Sequence, residues 1–278
     1  MARAQNPNIE ILEIAVRALG PVCDDLVFLG GCATALLISD SAAPPVRATR
    51  DIDTITETTS IAEYRELGKR LREQGFDVDQ SEGAPICRWT GHEIILDVMP
   101  IDEKVLGFSN VWYASAIETA RALTLPSGTS INVIDAVHFL ATKLVAFDGR
   151  GDKDYVMSHD LEDAICVLDG RPELEDEIEG AADDVREYVC SRLRDLLEDA
   201  RFREALAGHL PGDPGSQARL PNLVGHFQNW SQEKDRLRAF SYPVFGVILY
   251  NGPYTIADQK PGSKPVTRSA FSLYSTET

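Results

Sequence analysis

The sequence predicts an α/β fold of the α+β kind: a mixed sheet with flanking helices, followed by a mainly helical domain. Two observations predict the order of these parts. Short β-branched runs punctuated by Gly and Pro alternate with helical patterns up to about residue 130. Beyond that point apolar residues recur at helical spacing through long acidic stretches. A third observation sets the scale: 278 residues, 44% hydrophobic and 26% charged, suit a soluble globular chain with one large domain or two of ordinary size. The boundaries we expect are 1–130 for the sheet domain, 131–225 for the helical domain and 226–278 for an unassigned C-terminal extension.

Taken in order, Ile9, Leu12, Ile14, Ala15 and Leu19 repeat near helical spacing until Gly20-Pro21 stops them. "DLVFLGG" is a short apolar run ending in two glycines, and "CATALLIS" follows as a helix. Ala43-Pro44-Pro45 enforces a loop, after which "RDIDTIT" reads as a strand. Alternation places Asp51, Asp53 and Ile55 on one side and Arg50, Ile52, Thr54 and Thr56 on the other. "IAEYRELGKRLREQG" is an amphipathic helix closed by Gly75. "FDVDQ", "PICRWT" and "HEIILDVMP" read as three strands, the last carrying Asp97. "INVIDAVHFLATKLVAF" reads as a helix with Ile134, Val137, Leu140, Ala141 and Leu144 on one face, and "SHDLEDAICVLDG" as a helix capped by Ser158. An acidic helical stretch runs from Pro172 to about Leu206 with Gly180 as a break. The tail from 226 is richer in aromatic, Pro, Ser and Thr residues, reads as a strand pair or a loose extension, and carries no motif.

The net charge of −17 opposes non-specific attraction to nucleic acid or anionic lipid and favours cationic partners. A local patch of Arg47, Arg50, Arg65, Lys69, Arg70 and Arg72 limits that argument. Five scattered cysteines without a C-x-x-C pair indicate buried thiols, not a disulfide framework or zinc knuckle. No apolar run approaches the roughly 18 residues of a membrane span, and the start lacks a secretory layout, so a cytoplasmic protein is expected.

Asp51 and Asp53, two apart on a strand, put both carboxylates on one face with Cβ atoms about 7 Å apart. That spacing is either an ordinary solvated acidic strand or half of an oxygen-rich site for Mg²⁺, which takes one or two carboxylates and completes its shell with water and phosphate. Asp97, ending another strand, supplies a third carboxylate if the two strands are neighbours. Gly30-Gly31, between strand and helix, either offers backbone N–H groups to a phosphate or lets the helix pack closely. His92, His138, His209 and His226 stand in no ligand spacing, and His159 reads as a helix-start residue.

In this order the motifs resemble the nucleotidyltransferase superfamily. "FLGGCATALL…RATRDIDTIT" is similar to its glycine turn, helix and D-x-D strand, and "IILDVMP" to the strand bearing its third aspartate. The R-x-T-x-D-I-D spelling and "KLVAFDGRGDKDYVMSHDLEDAICVLDGR" resemble its AbiEii-type toxin branch, over roughly residues 9 to 170. The resemblance implies a nucleotidyltransferase-like sheet domain that moves an NMP from an NTP substrate to an acceptor hydroxyl with Mg²⁺ or Mn²⁺. It implies catalytic roles for Asp51, Asp53, Asp97 and Lys143, with the three aspartates as metal ligands. The nucleotide contacts expected are Gly30, Gly31, Thr49, Arg50, Lys143, Arg150, Lys153 and Asp160: Lys143 reaches the triphosphate as a point charge, Arg150 or Lys153 adds a second cation, and Asp154, Asp160 and Asp163 orient these or each other, the alternative being surface ion pairs on a helix hairpin.

For the toxin branch the implied acceptor is RNA, such as a tRNA acceptor end, and the implied partner a cognate antitoxin, in a toxin–antitoxin or phage-defence pair. The acidic chain keeps a second acceptor class open, a polycationic aminoglycoside. A third reading is a non-catalytic nucleotide- or partner-binding member of the fold. Two departures from the pattern stand out: Gly31 replaces a serine common beside the phosphate, and "FDGRGDKDY" is a long spacer.

Overall fold

A computed structural model describes residues 6–150 and 153–238, with side chains to residue 230. The element order alternates helix and strand before giving way to helices. It runs α1 (Pro7–Leu19), β1 (Val27–Leu29), α2 (Gly30–Leu37), β2 (Asp51–Thr56), α3 (Ile61–Glu73), β3 (Asp77–Val78), β4 (Arg88–Gly91) and β5 (Ile94–Pro100). Then come α4 (Glu103–Leu106), α5 (Tyr113–Glu118), β6 (Arg121–Thr124), β7 (Ser130–Val133), α6 (Ala136–Gly149), α7 (His159–Gly170), α8 (Leu174–Glu179), α9 (Asp183–Glu198), α10 (Ala200–Leu206), α11 (Pro214–Gln217) and α12 (Leu220–Arg238).

The strands form one mixed sheet in the order β3-β4-β5-β2-β1-β7-β6. At its centre β2 runs parallel to β5 and antiparallel to β1, with Asp53 opposite Asp97 on one side and Leu29 on the other. Buried apolar residues form one continuous cluster from Leu12 to Trp230, so the sheet and the helices through α12 share a core. α2 packs on β1 and β2, and α7 packs on both α2 and α6. No helix of the described residues is long and apolar enough to cross a membrane. The five cysteines are free thiols, four of them buried.

Local chemistry explains the elements. Asn6 accepts from the Asn8 N–H ahead of Pro7 to open α1. Ser60 and Glu63 cap α3 reciprocally, and Ser158 caps α7 through the Leu161 N–H. Gly180 ends α8, as the break in the acidic stretch predicted.

Two segments depart from the sequence reading. Residues 130–133 extend as β7, pairing with β6 and β1, and the helix begins only at Ala136, because the Asp135 carboxylate accepts from the Val137 and His138 N–H groups and fixes the cap there. The strand read from His92 begins at Ile94. His92 and Glu93 take φ of 53° and 63° and form the two-residue turn of the β4–β5 hairpin. The expected extension divides likewise: residues to Arg238 continue α12, and 239–278 lie outside the described residues.

Candidate active site

Strand register assembles the acidic row. Antiparallel pairing sets Arg88 of β4 opposite Asp97 of β5, and parallel pairing sets Asp97 beside Asp53 of β2. Directly paired residues point to the same face, so Arg88, Asp97 and Asp53 form a line across three strands, with Asp51 two residues before Asp53 on that face. The three aspartates that the sequence singled out therefore share one surface of the sheet.

Arg88 was absent from the sequence reading. Its Nε and Nη2 donate to the two Asp97 oxygens at 2.8 and 2.7 Å, and Nη2 lies 3.5 Å from Asp51 Oδ2. These bonds, from Asp97 first, raise the Arg88 pKa above its ordinary value although desolvation opposes the charge. Among the described residues no group of three or more His, Cys, Asp or Glu side chains is set to hold a metal ion. In the acidic row, the Asp97 oxygens are engaged by a guanidinium. The pairing of Arg88 with Asp97 follows from the register of the β4–β5 hairpin, in which Gly91 stands opposite Ile94.

Asp53 has no hydrogen bond or ion pair to its carboxylate among the described residues. It keeps part of its surface accessible, yet protein atoms crowd it enough that desolvation, with Asp51, Asp97 and Asp163 adding repulsion against the pull of Lys143, pushes its pKa up to about 7. The crowding has a backbone side. Gly30 takes φ of +69°, and a Cβ there would lie 1.9 Å from Asp53 Oδ2, so only glycine lets the start of α2 meet this carboxyl. A Cβ on Gly31 would likewise come within 2.8 Å of Arg47 Nη2. The glycine pair thus borders the aspartate row and the Arg47 side chain. Thr49 Oγ1 donates to Asp51 Oδ1 at 2.6 Å and holds that carboxylate in place.

A buried charge chain lies behind the row. Lys143 of α6 is nearly inaccessible and donates to Asp163 at 2.6 Å and Asp160 at 3.4 Å, both on α7. Desolvation works against its charge, but Asp163, Asp160 and Asp53 outweigh it, so its pKa lies above the usual lysine value. Asp163 also accepts a bidentate pair from Arg47 at 2.9 and 2.8 Å, and Asp160 accepts from Arg150, whose side chain is otherwise exposed.

The sequence reading also missed Asn8. Wholly buried, it donates to the Arg47 and Gly31 carbonyls and accepts from the Thr49 N–H, lacing the glycine turn to the loop before β2. Arg50 and Lys153 are exposed and form no ion pair among the described residues, and Asp154 bonds to the backbone of Val156 and Met157. Nothing links these three to the row. Two cavities of about 210 and 250 Å³ lie along α7 and are lined by none of Asp51, Asp53, Asp97 or Lys143.

The residues present fit a divalent cation at Asp51 and Asp53. Their carboxylates supply the hard oxygen donors that Mg²⁺ and Mn²⁺ prefer, and the Asp53 carboxylate, which feels Lys143 only at a distance, forms no ion pair among the described residues.

No protein-family model matches the chain, and no curated protein does. Among solved structures, the chain is similar to an antigenic nucleotidyltransferase-like protein from Paracoccidioides brasiliensis, at 18% identity and a TM-score of 0.45, covering 72% of this chain and 94% of that one. It is similar to an H. pylori protein designated a nucleotidyltransferase at 14% identity and a TM-score of 0.46, over 84% and 97% of the two chains. It is also similar to ANT(2'')-Ia in complex with adenylyl-2''-tobramycin, at 13% identity and a TM-score of 0.41, over 66% and 95%. At these identities and TM-scores the alignments assign no activity to this chain.

Proposed function

We propose that the chain is a nucleotidyltransferase that uses Mg²⁺ or Mn²⁺ to move a nucleoside monophosphate from an NTP to an acceptor hydroxyl. The observation that carries this reading is the strand register: Asp53 beside Asp97 and on one face with Asp51, at the N-terminal glycines of α2, with no cation paired to Asp53. Asp51 and Asp53 would hold the cation. When bound, it would supply charge neutralisation on the triphosphate and the leaving pyrophosphate.

The chain's own residues then divide the remaining work. Thr49 fixes the Asp51 carboxylate. Lys143, kept charged by its acidic neighbours, balances the field beside Asp53, while Arg150, exposed beyond Asp160, reaches solvent-side phosphate. Backbone at Gly30 and Gly31, at the start of α2, allows close approach of the nucleotide. Asp97 completes the carboxylate set or accepts the acceptor's proton once Arg88 releases it.

Two acceptor classes are supported by different observations. An RNA end, in a toxin–antitoxin setting, is supported by the motif resemblance of residues 143–171, whose Lys143, Asp160 and Asp163 stand in one network. A polycationic small molecule is supported by charge: of the six basic residues in the local patch, Arg47, Lys69, Arg70 and Arg72 are already paired with acids, which leaves Arg50 and Arg65 for a polyanion. Incubation with labelled NTPs, total RNA and a set of aminoglycosides tests both. We expect one pool to take up label with Mg²⁺ present, and Asp51→Asn and Asp53→Asn to reduce uptake at least a hundredfold, about the loss of one electrostatic group aimed at the reacting centre. Undiminished uptake by both variants would overturn the reading.

A further inference from the structure

Arg88 stands where a cation shared by Asp97 and Asp51 would stand. It spans the two carboxylates, bidentate on Asp97 and 3.5 Å from Asp51, and the Asp97 carboxylate it covers is almost wholly inaccessible. A divalent ion bound to Asp97 as well as the β2 pair must take an oxygen at about 2.0–2.6 Å, a position the guanidinium now excludes. Arg88 also has somewhere to go. Its side chain is 22% exposed, and the exposed Asp79, whose N–H donates to the Arg88 carbonyl at 3.0 Å and whose carboxylate accepts from Ser81 through Oδ1 alone, stands next to it.

We propose that Arg88 is an internal counter-ion that competes with the divalent cation: it clamps Asp97 and Asp51 while the metal is absent and swings toward Asp79 when the ion binds. Arg88 is on this view a positioning residue that holds the acidic row apart from a premature three-carboxylate site. The inference rests on the metal-dependent reading of Asp51 and Asp53, and it adds a property that reading does not require, a metal affinity limited by the protein's own arginine. A structural pair between Arg88 and Asp97 predicts in addition a loss of folded stability in Arg88→Gln, because Asp97 would be left buried and unsupported.

The test is calorimetric titration of the full chain with Mn²⁺ in the absence of nucleotide, for the wild type, Arg88→Gln, Arg88→Lys and Asp53→Asn, with circular dichroism to verify folding. The competition predicts that Arg88→Gln binds Mn²⁺ about tenfold more tightly or better, within the range of about 5- to 150-fold for two coupled ligands. Arg88→Lys, which keeps the charge but loses the planar fork, falls between. Binding by Arg88→Gln where the wild type shows none supports the proposal equally. Equal or weaker Mn²⁺ binding by a folded Arg88→Gln overturns it. Should Arg88→Gln fail to fold, Arg88→Lys decides: unchanged affinity there overturns the proposal. The metal reading itself fails separately, when neither the wild type nor Arg88→Gln binds Mn²⁺ or when Asp53→Asn binds as well as the wild type.

Discussion

Asp53 has an unbalanced electrostatic position. Asp51 and Asp97 share Arg88, while Asp160 and Asp163 share Lys143 and take Arg150 and Arg47, so four cations pair with four of these five carboxylates and Asp53 has no direct partner among the described residues. Its carboxyl titrates at about 7 in the folded chain, against an ordinary aspartate value near 4 when unfolded. Between those values the folded state keeps a proton that the unfolded state has lost, so this residue makes stability fall as pH rises from about 4 to about 7. Asp53→Asn removes that loss. The Tm advantage of the variant over the wild type should therefore grow from pH 5 to pH 8. Mg²⁺ at pH 8 should raise the Tm of the wild type and leave that of the variant unmoved. A Tm difference independent of pH would show that Asp53 is ionised throughout.

At the scale of elements, the charge chain fastens three pieces together: the loop before β2 through Arg47, α6 through Lys143 and α7 through Asp163. Asp163 is 1% exposed and Lys143 9% exposed, so removing the carboxylate leaves a desolvated ammonium with only the longer contact to Asp160. Asp163→Ala should cost about 3–5 kcal/mol, the range for breaking a buried ion pair from one side. Denaturant unfolding checks this by a lowered midpoint with little change in slope, whereas a loss under about 1 kcal/mol would mean that Arg47 and Lys143 find other partners or reach water. The same scale shows what the sequence concealed. The D-x-D strand, the amphipathic α3 and the Ser158-capped α7 were legible, because caps and periodicity are local. The β6–β7 hairpin and the His92-Glu93 turn were not, because β7 is stabilised by pairing with β1, a hundred residues away in sequence, and the turn lacks an Asn-Gly pair.

For the whole molecule, one sheet register ties the candidate site together. The order β4-β5-β2-β1 brings Arg88, Asp97, Asp53 and Gly30 into one row from four separate segments, and α2, α6 and α7 close over it with Lys143, Asp160 and Asp163. The three aspartates were legible as residue types at strand spacing. Arg88 and Asn8 were not, since an arginine in "PICRWT" and an asparagine in a first helix carry no local signal, and their roles arise from partners brought in by the fold. The acidic surface implied by the net charge of −17 also explains why the basic residues of the 47–72 segment are largely consumed in ion pairs. Nucleotidyl transfer differs from phosphoryl transfer in which phosphorus moves, and paired assays with NTP labelled at the α- or the γ-phosphorus read it directly. A nucleotidyltransferase shows Mg²⁺-dependent transfer of the α-label to an acceptor, with the γ-label released as pyrophosphate, both abolished by Asp53→Asn. Transfer of the γ-label to the acceptor, or α-label transfer that persists in Asp53→Asn, would contradict it.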